Sequence, residues 1–156
     1  MTRTAAVLVA STRAAAGAYE DRTGPVIAEW LRSRGFELVG PVVVPDAAIA
    51  ESLAELLAQH PDLLLTTGGT GVSPDDRTPE ATRALLDMEL PGIAEEVRRR
   101  GAEAAPAAIL SRAVAGVAGA TLVMNLPGSS GGVRDGLAVL EGVLDHLLDQ
   151  IAGGDH

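Results

Sequence analysis

Leu63-Leu64-Leu65-Thr66-Thr67-Gly68-Gly69-Thr70-Gly71-Val72-Ser73-Pro74-Asp75-Asp76-Arg77-Thr78-Pro79 runs from an apolar stretch into a glycine-rich turn and on toward a helix start. The leucines read as a buried strand. Glycines at 68, 69 and 71 let backbone N–H groups approach an anion where a Cβ would intrude. Asp75 and Asp76 follow at once. Carboxylates are hard oxygen ligands of the kind magnesium prefers, usually beside substrate phosphates. Strand, anion-cradling loop, carboxylates and helix together point to phosphate chemistry. A GGTG turn alone is a common strand-to-helix connection. Ser73, Asp76, Thr78 and Pro79 at fixed offsets behind it make the pattern far more specific.

Strands and helices alternate outward from this segment. Ala5 to Ala10 is apolar enough for a buried first strand. Thr23-Gly24-Pro25 opens a helix, with Pro in the first turn where its missing N–H costs nothing, and Gly35 stops that helix after Arg34. Leu38 to Val44 reads as a second strand. Ile49, Leu53, Leu56 and Leu57 recur at helical spacing and predict a helix over about 47–59. Leu63 to Thr67 is the third strand. A short helix starts at Pro79, and Leu90-Pro91 precedes another that ends near Arg100. Residues 112–125 hold two apolar runs separated by glycines, a strand pair. One long helix is expected over 130–152, with Leu137, Leu140, Val143, Leu144, Leu147 and Leu148 inward. The alternation predicts one α/β domain over residues 1–156, a three-layer α/β/α sandwich around a mostly parallel sheet.

Composition narrows the partners and the chemistry. A net charge of −9 argues against a nucleic-acid surface. No apolar run approaches about 18 residues, so no membrane span is expected. The N-terminus from Met1 leads straight into a strand pattern rather than a signal peptide. With no cysteine, disulfides and thiolate-held metals are excluded, and a reducing compartment is compatible. All basic residues are Arg, so a P-loop lysine cannot exist. Any phosphate must be met by backbone N–H, Arg, hydroxyls or a metal. With only Tyr19, Trp30 and Phe36 as aromatics, the core must be Ala, Val, Leu and Ile. His60, His146 and His156 show no ligand spacing.

In open parallel sheets, ligands bind beyond the carboxyl ends of the strands. Four elements fall at such ends: Ser11-Thr12-Arg13, Pro45-Asp46, Gly68 to Asp76, and Pro127-Gly128-Ser129-Ser130-Gly131-Gly132. Parallel strands bring all four to one crevice. Ser129 or Ser130 caps the last helix, whose N-terminus offers free N–H groups to an anion. Asp46 by itself reads as an N-cap of the helix at Ala47, and Asp21 and Asp75 by themselves as solvated loop residues. Arg98-Arg99-Arg100 reads as a helix end paired with Glu95 and Glu96. Arg13, Arg77 and Arg134 are the better phosphate clamps.

Thr67-Gly68-Gly69-Thr70-Gly71-Val72-Ser73-Pro74, Asp76, Thr78-Pro79-Glu80-Ala81-Thr82 and Leu126-Pro127-Gly128-Ser129 resemble the molybdenum-cofactor biosynthesis proteins of the MogA/MoaB type. So do Asp21-Arg22-Thr23-Gly24, Val44-Pro45-Asp46, Leu90-Pro91-Gly92 and Leu110-Ser111-Arg112-Ala113. The likeness covers nearly the whole chain in order, and is strongest to the molybdopterin adenylyltransferases. It implies a cytoplasmic, often trimeric enzyme that transfers AMP from ATP to the terminal phosphate of molybdopterin. Pyrophosphate leaves, and the product passes to a molybdate-inserting enzyme. The family's two essential acids match Asp46 and Asp76, expected to hold Mg²⁺. Ser11, Asp21, Gly68, Gly69, Thr70, Gly71, Ser73, Pro127, Gly128, Ser129 and Ser130 are the expected nucleotide and pterin contacts. Asp75 and Arg77 stand where the family often has Arg and Val, Thr23 where Ser is common, and Ser130 where Pro is common. Two other readings are a non-catalytic pterin carrier, and a molybdate-insertion enzyme, for whose extra domains this length leaves no room.

Overall fold

The computed structural model describes residues 2–154; Met1 and His156, which entered the sequence reading, lie outside them. Among the described residues six strands form one sheet: β1 (Thr4–Ala10), β2 (Glu37–Val44), β3 (Leu63–Thr67), β4 (Met88–Glu89), β5 (Ala115–Ala118) and β6 (Thr121–Leu126). Their order is β2-β1-β3-β6-β5-β4. β2, β1, β3 and β6 run parallel, and β5 is antiparallel to both of its neighbours. The chain leaves β1 for β2 on one side and returns as β3 on the other. The switch point therefore lies between the ends of β1 and β3.

Among the described residues seven helices flank the sheet: α1 (Thr12–Ala15), α2 (Thr23–Ser33), α3 (Ile49–Leu57), α4 (Thr78–Arg83), α5 (Pro91–Ala104), α6 (Ser130–Glu141) and α7 (Leu144–Ile151). Ala5 and Val7 of β1 face one layer, where Ile27 and Leu31 of α2, Val97 of α5, Leu137 of α6 and Leu148 of α7 pack. Ala6, Leu8 and Ala10 face the other layer, against Ile49, Leu53 and Leu56 of α3 and partly buried Ala81 and Leu85 around α4. This is the period-two division of a strand buried on both faces, and it makes the expected three-layer sandwich. Tyr19 is exposed, and the core is aliphatic as expected, with Phe36 and Met124 added.

Four boundaries differ from the sequence reading. α5 runs on to Ala104, past the end expected near Arg100, so Arg98-Arg99-Arg100 lie inside the helix rather than closing it. The long C-terminal helix is two helices, α6 and α7, separated at Gly142-Val143. Apolar spacing carries across that break, so periodicity alone joined them. The helix expected from Ala47 begins as a 3-10 turn over Asp46–Ala48 before α3. Within the strand pair, Gly116 lies inside β5 rather than between strands, because a Cβ there would overlap the Met88 carbonyl of the edge strand β4. α1, β4 and a 3-10 segment over Pro106–Leu110 were not anticipated, being too short to show a period.

A buried polar network ties β3 and β6 to α4 beneath the glycine loop. Asn125 of β6 donates through Nδ2 to Thr66 Oγ1 of β3 and to Thr82 Oγ1 of α4, each at 2.9 Å. Its Oδ1 accepts from the Val114 N–H at 3.1 Å. Thr82 Oγ1 in turn donates to the Thr78 carbonyl at 2.8 Å. In a low-dielectric interior such a network holds its members in one arrangement, and removing one strands the others. Asn125→Ala is expected to destabilise the fold by about 2–4 kcal/mol, since several buried partners lose their bonds at about 1–3 kcal/mol each. Urea unfolding measures this, and a loss below about 1 kcal/mol would contradict the network's role.

Candidate functional site

Gly68 and Gly69 adopt left-handed backbone, with φ of 87° and 67°, a conformation glycine takes at no steric cost. A Cβ on Gly68 would overlap the carbonyl oxygen of Ala10 at the end of β1. From the far side, the Cβ position of Gly128 stands 3.4 Å from Gly68 Cα. Gly68 N–H donates to the Leu126 carbonyl at 3.3 Å, and Thr67 Oγ1 donates to the Pro127 carbonyl at 2.8 Å. The turns after β1, β3 and β6 therefore meet across bare backbone.

Two hollows flank this contact. The larger, about 590 Å³, is lined by Gly69, Thr70, Gly71, Asp76 and Pro127, with Val97, Ala104 and Leu110 as an apolar wall. The smaller, about 230 Å³, lies at the switch point and is lined by Ser11, Asp21, Gly68 and Ser130. Gly128 and Ser129 border both. Of the expected contacts, Ser73 and Asp46 line neither hollow. Arg13, Arg77 and Arg134 do not line them either; Arg22 borders the smaller and Arg98 the larger. Arg98 is already committed, donating to the carbonyls of Ser111 and Ala113 at 3.2 and 2.9 Å.

Several of these side chains also organise the local backbone. Ser11 Oγ accepts from Ala14 N–H and caps α1. Ser129 Oγ accepts from Gly132 N–H and caps α6, while Ser130 is the first residue of that helix. Asp21 Oδ1 accepts from the N–H groups of Thr23 and Gly24 at 3.2 and 3.1 Å. It caps the start of α2 rather than standing free in solvent.

Asp46 does not cap the following helix: it is the first residue of the 3-10 turn, and its side chain bonds no N–H there. Instead Asp46 Oδ2 accepts from Thr12 Oγ1 at 2.9 Å, and Asp46 N–H donates back to that hydroxyl at 3.1 Å. Its Oδ1 is turned toward the loop after β3, 3.1 Å from where a Cβ on Gly69 would stand. Asp76 reaches the same loop two residues on, with Oδ2 2.8 Å from the Cβ position of Gly71. Ser73 N–H donates to that oxygen at 3.1 Å, and Asp76 N–H to the Ser73 carbonyl at 3.0 Å. Ser73 thus fixes Asp76. The two acids lie along one stretch, Gly69–Gly71.

Among the described residues no group of three or more His, Cys, Asp or Glu side chains could hold a metal ion. A cation would have to draw on these two carboxylates, hydroxyls, backbone, waters and a ligand's phosphates. That mixture suits magnesium, which keeps waters and takes one or two carboxylates beside phosphates. The glycine at 69, whose Cβ would intrude between Thr78 Oγ1 and Asp46 Oδ1, leaves the room it needs.

Arg112 organises the loop, and sequence reading gave it no role. Its N–H donates to the Thr70 carbonyl at 2.8 Å, its Nε to the Gly71 carbonyl at 2.8 Å, and its Nη2 to the Asp76 carbonyl at 3.2 Å. Its Nη1 pairs with Glu80 Oε2 at 2.5 Å. The hydrogen bond from Arg112 holds the Glu80 carboxyl below its ordinary value of 4.5. A carboxyl depressed in the folded state adds stability above its ordinary range and loses it as pH falls through the folded value. Protection of amides 69–77 from hydrogen exchange is therefore expected to be full at pH 5 and to fall as pH drops below about 4. Glu80→Gln is expected to lose that pH step, and Arg112→Ala to open the loop at every pH. Unchanged exchange in Arg112→Ala would refute the assignment.

Residues 6–146 match the protein family described as "Probable molybdopterin binding domain". The Escherichia coli protein named molybdopterin adenylyltransferase is 41% identical over 140 residues, covering 86% of this chain and 70% of that protein. A Synechococcus elongatus molybdenum cofactor biosynthesis bifunctional protein is 40% identical over 97% of this chain, which spans only 48% of its length. The solved structure of the molybdopterin biosynthesis Mog protein from Mycobacterium ulcerans superposes with a TM-score of 0.92 at 52% identity, covering 98% of this chain and 99% of that one. With its sheet order, its paired glycine turns and these likenesses in agreement, the chain belongs to the molybdopterin-binding domain family of molybdenum cofactor biosynthesis proteins.

Proposed function

We propose that this protein is a molybdopterin adenylyltransferase: an oxygen of molybdopterin's terminal phosphate attacks the α-phosphorus of ATP, and pyrophosphate departs. The observation that carries this reading is that Asp46 and Asp76 both face one glycine stretch, Gly69–Gly71, which together with Asp76 lines a hollow large enough for a pterin. Bringing two phosphate groups together is chiefly a problem of charge and position. Mg²⁺, held by Asp46 and Asp76 directly or through waters, would supply charge neutralisation for the phosphates.

The chain's own groups do the rest. The larger hollow takes the pterin between the loops after β3 and β6, its ring against the apolar wall of α5 and Leu110. The phosphates lie over Gly68, Gly69 and Gly128, where bare backbone permits close approach. The free N–H groups at the start of α6 add partial positive charge. Ser129 Oγ, which accepts from Gly132, keeps its own hydrogen to donate to a phosphate. The Ser73 hydroxyl, exposed beside Asp76, is a second donor. Asp21 and Ser11 shape the smaller hollow on the nucleotide side.

A homotrimer belongs to the same reading, and the exposed apolar side chains Val72, Ile109 and Leu110 beside the larger hollow suit a subunit contact. So do a cytoplasmic location and hand-over of product to a molybdate-inserting enzyme. One alternative is a carrier that binds molybdopterin without chemistry. Pyrophosphate release from Mg-ATP separates the two. Molybdopterin is expected to stimulate release; no stimulation would favour the carrier. Asp76→Asn is expected to keep the fold and lose at least about 10²-fold in rate, or about 2.7 kcal/mol. Asp46→Asn is expected to lose a similar factor, and near-normal rates in either variant would remove that acid from the mechanism.

A further inference from the structure

We propose that Thr78 is a cation ligand of the acid site, its buried hydroxyl supplying the neutral oxygen that, beside Asp46 Oδ1, holds a divalent cation over Gly69. The proposal rests on the reading above, in which a cation and phosphates meet at this loop. Thr78 is 0% exposed, and among the described residues its Oγ1 is the one buried side-chain polar atom without a hydrogen-bond partner. Buried polar groups in native proteins are nearly always satisfied, so each exception points to something that completes it.

The helix does not complete this one. Thr82, one turn further on, spends its hydroxyl on the Thr78 carbonyl, and Thr78 N–H donates to the Gly69 carbonyl at 3.2 Å. The Thr78 hydroxyl instead faces Gly69, where a Cβ would overlap it and would also stand 3.1 Å from Asp46 Oδ1. The two oxygens flank the position that a side chain at 69 would occupy. Thr12 occupies the other oxygen of Asp46, which leaves Oδ1 free to face it. An anionic and a neutral oxygen, both hard, are donors a magnesium-class ion accepts along with waters and phosphate. The hydroxyl is held in place from behind, because Asn125 fixes Thr82 and Thr82 fixes the Thr78 backbone. Thr78 thus sits at the end of a buried chain of hydrogen bonds that reaches the acid site from the core.

Mn²⁺ is the probe, titrated into the full chain without nucleotide and read by electron paramagnetic resonance. Thr78→Val, nearly isosteric, is expected to keep the fold and a melting temperature equal to or above the parent's, since it removes an unsatisfied hydroxyl. It is expected to weaken Mn²⁺ binding about tenfold, the scale typical of lost supporting groups at metal sites. Thr78→Ser, which restores the hydroxyl, is expected to recover binding to within about twofold of the parent. Should the valine variant not fold, Thr78→Ala is read in its place with the same expectation. Parent-like Mn²⁺ binding in the hydroxyl-free variant, failure of Thr78→Ser to restore it, or no nucleotide-independent binding by the parent would each overturn the proposal. None of those results touches the transfer reading, in which Mg²⁺ can arrive on ATP; that reading fails on absent pterin-stimulated pyrophosphate release by the parent.

Discussion

Backbone contact at Gly68 is the constraint on which the rest of this structure depends. The turn after β3 lies directly on the Ala10 carbonyl, and the turn after β6 lies directly on Gly68. A side chain at 68 would push the ends of β1 and β3 apart. Without one, the N–H groups and small hydroxyls of three separate turns gather within one depression. Backbone dipoles concentrated at one point make a concavity suited to an anion.

Rigidity comes from two polar devices of different kinds. Beneath the loop, Asn125 links β3, β6 and α4 in a buried network. Above it, Arg112 gathers the carbonyls of Thr70, Gly71 and Asp76 and the carboxylate of Glu80. The first is dry and insensitive to salt or pH. The second is partly exposed and subject to screening and to protonation of Glu80. The loop is thus anchored firmly at its root and more softly at its rim, where a ligand would enter. The two acids lie outside the buried network. Asp46 is held through Thr12 from the turn after β1 and Asp76 through Ser73 within the loop, both by exposed hydrogen bonds.

Much of this was legible in the residues. The run Leu63 to Thr67 announced a strand buried on both faces, and Ile49, Leu53 and Leu56 announced the helix that covers one of them. The convergence of four turns followed from strand order and spacing. Other features escaped for physical reasons. Asp46 looked like a helix cap because caps are local, whereas its actual partner, Thr12, is 34 residues away. Arg112 went unassigned because its carbonyl and carboxylate partners lie 32 to 41 residues upstream. Arg13, Arg77 and Arg134 were placed near the crevice by sequence, yet a residue near a strand end can still point away from it.

The sequence by itself determined the α/β class, the parallel core strands and the glycine turns at their ends, because hydrophobic periodicity and glycine's freedom at positive φ are local properties. Only the tertiary structure decided which oxygens of Asp46 and Asp76 face the loop, that one crevice is divided into two hollows, and that Thr78 buries a hydroxyl with no partner. Those outcomes depend on distances between segments remote in the chain, and such distances are set only when the sheet and its helices pack.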